Sequence, residues 1–194
     1  MRRRAVLQTL LAAAGAALPF VAQGHPLHDH LHDGQKIADA DAKASAAAFQ
    51  PSLLDAHQLE TLEMLAERIV PGSTEARVAP FLDSLLSVAA PAEQRRFLGT
   101  LGTFEMLAIE RYQRPWKGLT PDEQDVLLTQ ASTAPDAAPA DLARRSAYDA
   151  FMDLRGWIAG AYYSSEIGVR ELGWTGQMVF AELPGCTHPE GHAD

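Results

Sequence analysis

The chain has 194 residues, 47% hydrophobic and 21% charged, with a formal net charge of −9 and a single cysteine. This is ordinary globular material, long enough for a real core and short enough for one domain, or one domain with a tail. The acidic balance, which deepens from −9 to −12 once Arg2, Arg3 and Arg4 leave with a leader, argues against a nucleic-acid or anionic-membrane partner, and one cysteine excludes an internal disulfide, a Cys-rich metal site and a c-type haem motif.

Residues 1–24 read as an export signal. Arg2, Arg3 and Arg4 form its charged start, Ala5 to Val21 is apolar but diluted by Gln8, Thr9 and Gly15, and Ala22-Gln23-Gly24 is a small-x-small cleavage site. Arg3-Arg4-Ala5-Val6-Leu7 fits a twin-arginine pattern, the address of proteins exported already folded. An ordinary secretory signal and a membrane anchor are the rival readings, the latter disfavoured because the apolar run is short for a span. Residues 25–51 are expected to form a disordered His/Ala-rich linker. His25, His28, His30 and His32 alternate there with Asp29 and Asp33; imidazoles suit a transition metal, but a solvated tail explains the same composition.

From residue 52 to 194 the pattern is that of an all-helical domain of about five helices. Asp55 with Gln58 three residues on is a capping box, followed by an apolar face of Leu62, Leu65, Ala66 and Ile69 and a stop at Pro71-Gly72. A second helix spans about 77–88, carrying Val78, Phe81, Leu82 and Leu85. Pro91 opens a third that runs to about Arg114, with Phe97, Leu101, Phe104, Leu107 and Ala108 inward and Gly99 and Gly102 as weak points. Thr120-Pro121-Asp122-Glu123 is an N-cap, a first-turn proline and two acids facing the helix dipole; that helix ends near Ala131. A loop over 132–139 leads to a long fifth helix, with Ala147, Phe151, Leu154, Ile158 and Ala161 on one face. After Tyr163 the periodicity breaks, and Gly168, Gly173, Gly176 and Gly185 predict an irregular aromatic C-terminal arm.

Gly160-Ala161-Tyr162-Tyr163-Ser164-Ser165-Glu166-Ile167-Gly168, then Glu171-Leu172-Gly173-Trp174-Thr175-Gly176 and Pro184-Gly185-Cys186-Thr187-His188, resemble the C-terminal signature of the gluconate 2-dehydrogenase subunit 3 family. The twin-arginine leader and the helix ending Arg68-Ile69-Val70-Pro71 resemble that family too, so the likeness covers roughly residues 52–188. The resemblance implies a non-catalytic small subunit that stabilises an FAD-dependent sugar, polyol or gluconate dehydrogenase and escorts it through the twin-arginine export machinery to the periplasm. It also implies FAD in the large subunit, none in this chain, and a multihaem cytochrome c as a further partner that takes the electrons.

The residues agree with a chain that carries no chemistry of its own. No Gly-x-Gly-x-x-Gly follows a strand, and no Gly-x-Ser-x-Gly elbow or His-Glu-x-x-His helix occurs. Ser164 and Ser165 beside His57 or His188 would need a geometry nothing in the sequence imposes; a helix-end hydrogen-bonding cluster is the simpler reading. Cys186, His188 and His192 would make three metal ligands without a fourth. Glu166 and Arg170, four apart, are either a surface ion pair or a partner contact, and Tyr162, Tyr163 and Trp174 are either core or interface. The resemblance favours the interface for all five. Cys186 has no partner in its own chain, which leaves a free thiol, a homodimer bridge or a disulfide to the large subunit, the last being the expectation in an oxidising compartment.

Overall fold

The computed structural model describes residues 27, 30, 33–134 and 142–173. Among them the secondary structure is entirely helical: α1 (Gly34–Ala44), α2 (Ala56–Ile69), α3 (Val78–Leu86), α4 (Pro91–Tyr112), a 3-10 turn over Trp116–Gly118, α5 (Pro121–Ser132), α6 (Leu142–Tyr163) and α7 (Glu166–Glu171). No described helix is long and apolar enough to cross a membrane.

The molecule is built around α3. All nine of its residues are buried, as expected of a helix that carries apolar residues on every face. It packs against α1, α2 and α6, and α6 in turn runs along α4 and α5. Phe81, Leu82, Leu85 and Leu86 fill the centre together with Leu62, Leu65, Phe97, Phe104 and Leu154, each fully buried side chain contributing about 1.5–3 kcal/mol. Edge-to-face ring pairs, Phe97 with Trp157 and Phe104 with Trp116, tie α4 to α6 and to the 3-10 turn.

One acidic group lies at the centre of this largely apolar helix. Asp83 is fully buried, and its carboxylate accepts the backbone N–H groups of Ser52 (2.7 Å), Leu53 (3.0 Å) and Leu54 (2.8 Å). The bent segment that leads into α2 has no helix or sheet of its own to satisfy those donors, so the carboxylate supplies what secondary structure does not. The capping box expected at Asp55 is present, and the N-cap expected at Thr120 is part of a second one. Asp55 accepts from the N–H of Gln58 while the Gln58 side chain accepts from the N–H of Asp55, and Thr120 and Glu123 make the same exchange at α5.

Two expectations are corrected. Residues 34–44, assigned to a disordered linker, form α1, capped by Asp33 and laid on α3 through Ile37, Ala40 and Ala44. Its apolar stripe is narrow because two of its three buried residues are alanines, which fit only a closely approaching surface. Arg77 fixes the far end by donating from Nε to the Ala44 carbonyl at 2.8 Å. Residues 166–171, assigned to an irregular arm, form the short helix α7, capped by Ser165.

Candidate functional site

The two segments that carry the family resemblance, some ninety residues apart in sequence, meet at one end of the bundle. Helix α2 stops at Val70, and Gly72 turns the chain at a φ of 90°, a left-handed value that favours glycine. Glu67, one turn back, accepts the N–H of Gly72 at 2.8 Å and that of Thr74 at 2.9 Å, and these two donors hold its carboxyl below the usual carboxylate range. Ser73 donates its hydroxyl to the Val70 carbonyl at 2.6 Å. The turn is therefore pinned by its own helix before anything else touches it.

Against this turn lies Tyr162, near the end of α6. A Cβ placed on Gly72 would stand 3.1 Å from the Tyr162 hydroxyl oxygen and 3.4 Å from its ring. Tyr162 is only 4% exposed, and its hydroxyl donates to Glu171 Oε2 at 2.8 Å. The hydrogen bond to that carboxylate, with burial added, pushes the phenol pKa up to about 12. Tyr162 was expected on a partner-facing surface; it is instead a core residue that links the α2 turn, α6 and α7. Tyr163 is half-buried and stacks edge-on against it, with centroids 5.1 Å apart.

Helix α7 folds back sharply, and Gly168 permits it. A Cβ there would be 2.3 Å from the Tyr162 carbonyl oxygen, closer than any side chain tolerates. Ser165 caps α7 by accepting the N–H of Gly168 at 3.1 Å, and Ser164 donates to the Ala161 carbonyl at 3.0 Å. Both serine side chains hydrogen-bond the main chain at the junction of α6 and α7. His57, imagined as their base, sits on the first turn of α2 with its Nε2 3.0 Å from Glu105 Oε1. Glu105 also accepts from the Thr61 hydroxyl (2.8 Å) and the Trp116 N–H (3.0 Å), so His57 belongs to a network that fastens the 3-10 turn to α2.

What α7 presents outward is charge. Glu166 and Arg170 are exposed and paired at 2.5 Å across one helical turn. Beside the Gly72 turn a small cleft of about 70 Å³ is lined by Glu63, Ser73, Thr74 and Arg77, where burial pushes the Glu63 carboxyl above its ordinary value. His30 lies apart from this end; it is nearly buried, its Nε2 2.9 Å from Glu93 Oε1 and its ring 5.7 Å from that of Trp157. No three metal-ligating side chains gather among the described residues. Arg3, Arg4, His25, His28, His32, Trp174, Cys186, His188 and His192 lie outside the described residues.

Sequence reasoning passed over Asp83, Glu67 and Glu105, the three carboxylates that accept main-chain donors from neighbouring segments. Asp83 had a signal, as the lone acid in the apolar run Val78–Leu86; the other two sit among ordinary polar helix positions.

These features define an all-helical domain whose signature residues lock its own segments together around a stiff, charged end. The chain belongs to the gluconate 2-dehydrogenase subunit 3 family, whose model matches residues 56–185 and so both segments of the site. That family is a subunit of a dehydrogenase complex. No curated protein and no solved structure was found to match the chain.

Proposed function

We propose that this chain is the non-catalytic small subunit of an FAD-dependent sugar, polyol or gluconate dehydrogenase, which it binds, stabilises and escorts across the membrane into the periplasm. The observation that carries the reading is the family match across residues 56–185. The geometry supports it. The signature residues Tyr162, Ser164, Ser165 and Gly168 hold α7 rigidly on the bundle. That leaves the edge of Tyr163, with Glu166 and Arg170, as a preorganised face for the large subunit, and preorganisation is what lowers the entropic cost of association. Trp174, next in the signature, is proposed to contact the same partner. FAD and the haem of a multihaem cytochrome c belong to the partners, and the chain contributes recognition and the export address.

The leader supports the escort role. Arg3-Arg4 on a chain with no recognisable cofactor motif makes sense when the cargo is a folded flavoprotein. Replacing Arg3 and Arg4 with lysine is expected to strand both this chain and its flavoprotein in the cytoplasm. A normal periplasmic level of flavoprotein in that variant would sink the escort reading. Cys186 is proposed to bridge to the large subunit once exported. A reductant-sensitive band at the summed mass, absent in Cys186→Ser, is the expected result on a non-reducing gel, and separate subunits with a titratable thiol would refute it.

A further inference from the structure

Helix α4 is 22 residues long, about 33 Å. Its inner face, with Phe97, Leu101, Phe104 and Ala108, is fully used by the core. Its outer face carries Gly99, Gly102, Met106 and Ile109, spaced three, four and three residues apart, the spacing of a helix-pairing seam. All four are exposed, Met106 by 55% and Ile109 by 45%. A Cβ added to Gly99 or Gly102 would meet nothing within 4 Å. Glycine weakens a helix interior relative to alanine, and nothing among the described residues offsets that weakness at either position.

The order of these residues is self-complementary. The N-terminal half of the stripe offers two holes, Gly99 and Gly102; the C-terminal half offers two knobs, Met106 and Ile109. Reversing the helix about its midpoint near Phe104 places Gly99 opposite Ile109 of a second copy, and Gly102 opposite the second copy's Met106, twice each by symmetry. The same reversal brings Arg96 alongside the second copy's Glu110. The Arg96 side chain, although bonded to Asp153 at 2.5 Å, is 71% exposed and has donors left over. Glu110 is exposed and makes no hydrogen bond or ion pair among the described residues. A parallel pair would instead set glycine against glycine and arginine against arginine. Interfaces related by a two-fold axis require this kind of self-match.

We infer that the outer face of α4 is a self-association surface, on which a second copy of this chain docks antiparallel with its Met106 and Ile109 seated over Gly102 and Gly99. The glycines let the two helix backbones approach closely, and the paired Arg96 and Glu110 set the direction. One helix pair of this length is at the low end of specific interfaces, below about 1,200 Å² in total, so the association is expected in the micromolar range. It stands independently of the escort reading, since it concerns this chain alone.

The test uses the full chain carrying Cys186→Ser, followed by sedimentation velocity over roughly 5–500 μM, a range chosen for a small interface. A concentration-dependent monomer–dimer equilibrium is expected, lost in Gly102→Leu while the helical circular dichroism is retained, because the added side chain points into open space. Disulfide trapping fixes the register. An equimolar mixture of Gly102→Cys and Met106→Cys chains should cross-link at least several-fold more than either variant alone, as an antiparallel seam pairs unlike positions. A monomer at every concentration without trapping overturns the inference. So does equal trapping of Gly102→Cys alone, a dimer that survives Gly102→Leu, or trapping of Met106→Cys only by a co-expressed flavoprotein subunit.

Discussion

The substitution Asp83→Ala isolates the feature on which the centre of the fold depends. The carboxylate is fully buried on α3 and accepts three backbone N–H groups, from Ser52, Leu53 and Leu54, at 2.7, 3.0 and 2.8 Å. Hydrogen bonds to a charged group contribute about 1.5–3 kcal/mol each, so three of them sum naively to roughly 5–9 kcal/mol. The full sum is not expected, because Ser52 is exposed and its N–H can turn to water once released. Leu54 cannot follow without giving up its burial, so the expected loss is about 3–5 kcal/mol, towards the upper end of single-substitution effects. For a chain of this size that lowers Tm by roughly 6–20 °C. Asp83→Asn keeps the shape and one acceptor but turns an amide donor towards the same N–H groups, and about half the loss is expected. Ser84→Ala is the control. Its neighbouring buried hydroxyl only bonds back to the Pro80 carbonyl within the same helix, at 2.9 Å, and its removal is expected to change stability by less than about 1 kcal/mol. Urea unfolding followed by circular dichroism gives the free energies, and amide hydrogen exchange at residues 52–54 gives the local effect. If Asp83→Ala unfolds within about 1 kcal/mol of the native chain at an unchanged urea slope, the claim that this carboxylate organises the entry to α2 is wrong.

Four further outcomes follow from the site. Glu67 has its carboxyl depressed by the Gly72 and Thr74 N–H groups, so its contribution is complete above the ordinary carboxylate pKa and is lost as pH falls through the depressed folded value; Glu67→Gln should flatten acid destabilisation below about pH 4.5 in urea titrations repeated across pH. Tyr162, whose pKa is raised to about 12, contributes fully below 10 and loses its contribution as pH rises through 12; Tyr162→Phe should cost about 1 kcal/mol at neutral pH and remove that alkaline loss. Gly168→Ala places a methyl group 2.3 Å from the Tyr162 carbonyl oxygen and is expected to dislodge α7, read as protease sensitivity near residue 166 with the rest of the bundle still folded. Removing residues 33–46 uncovers the α3 surface beneath Ile37, Ala40 and Ala44 and should lower Tm by several degrees, whereas an unchanged melting curve would show α1 to be an independent appendage.

The parts of this fold that were legible in the sequence are those whose partners are close in sequence. The Asp55 capping box and the Thr120 N-cap act across three residues, and the apolar faces of α2, α3, α4 and α6 repeat within a single helix. Helix α1 escaped because its stripe has one large apolar residue, Ile37; the alanines that complete it count only against the surface of α3, forty residues on. Helix α7 is hidden because Gly168 reads as a break, whereas it marks a contact with the Tyr162 carbonyl too close for any Cβ. The same distinction governs the signature itself. Tyr162 and Gly72 were recognisable as parts of a pattern, but their pairing is a matter of shape across ninety residues: a left-handed turn with no side chain, and a ring whose hydroxyl needs the room that absence leaves. A signature of this kind holds a surface in place more than it forms one. Residues that touch a partner should therefore be sought just outside it, on the exposed edge of α7 at Glu166 and Arg170, where charge is free to vary without disturbing the packing beneath.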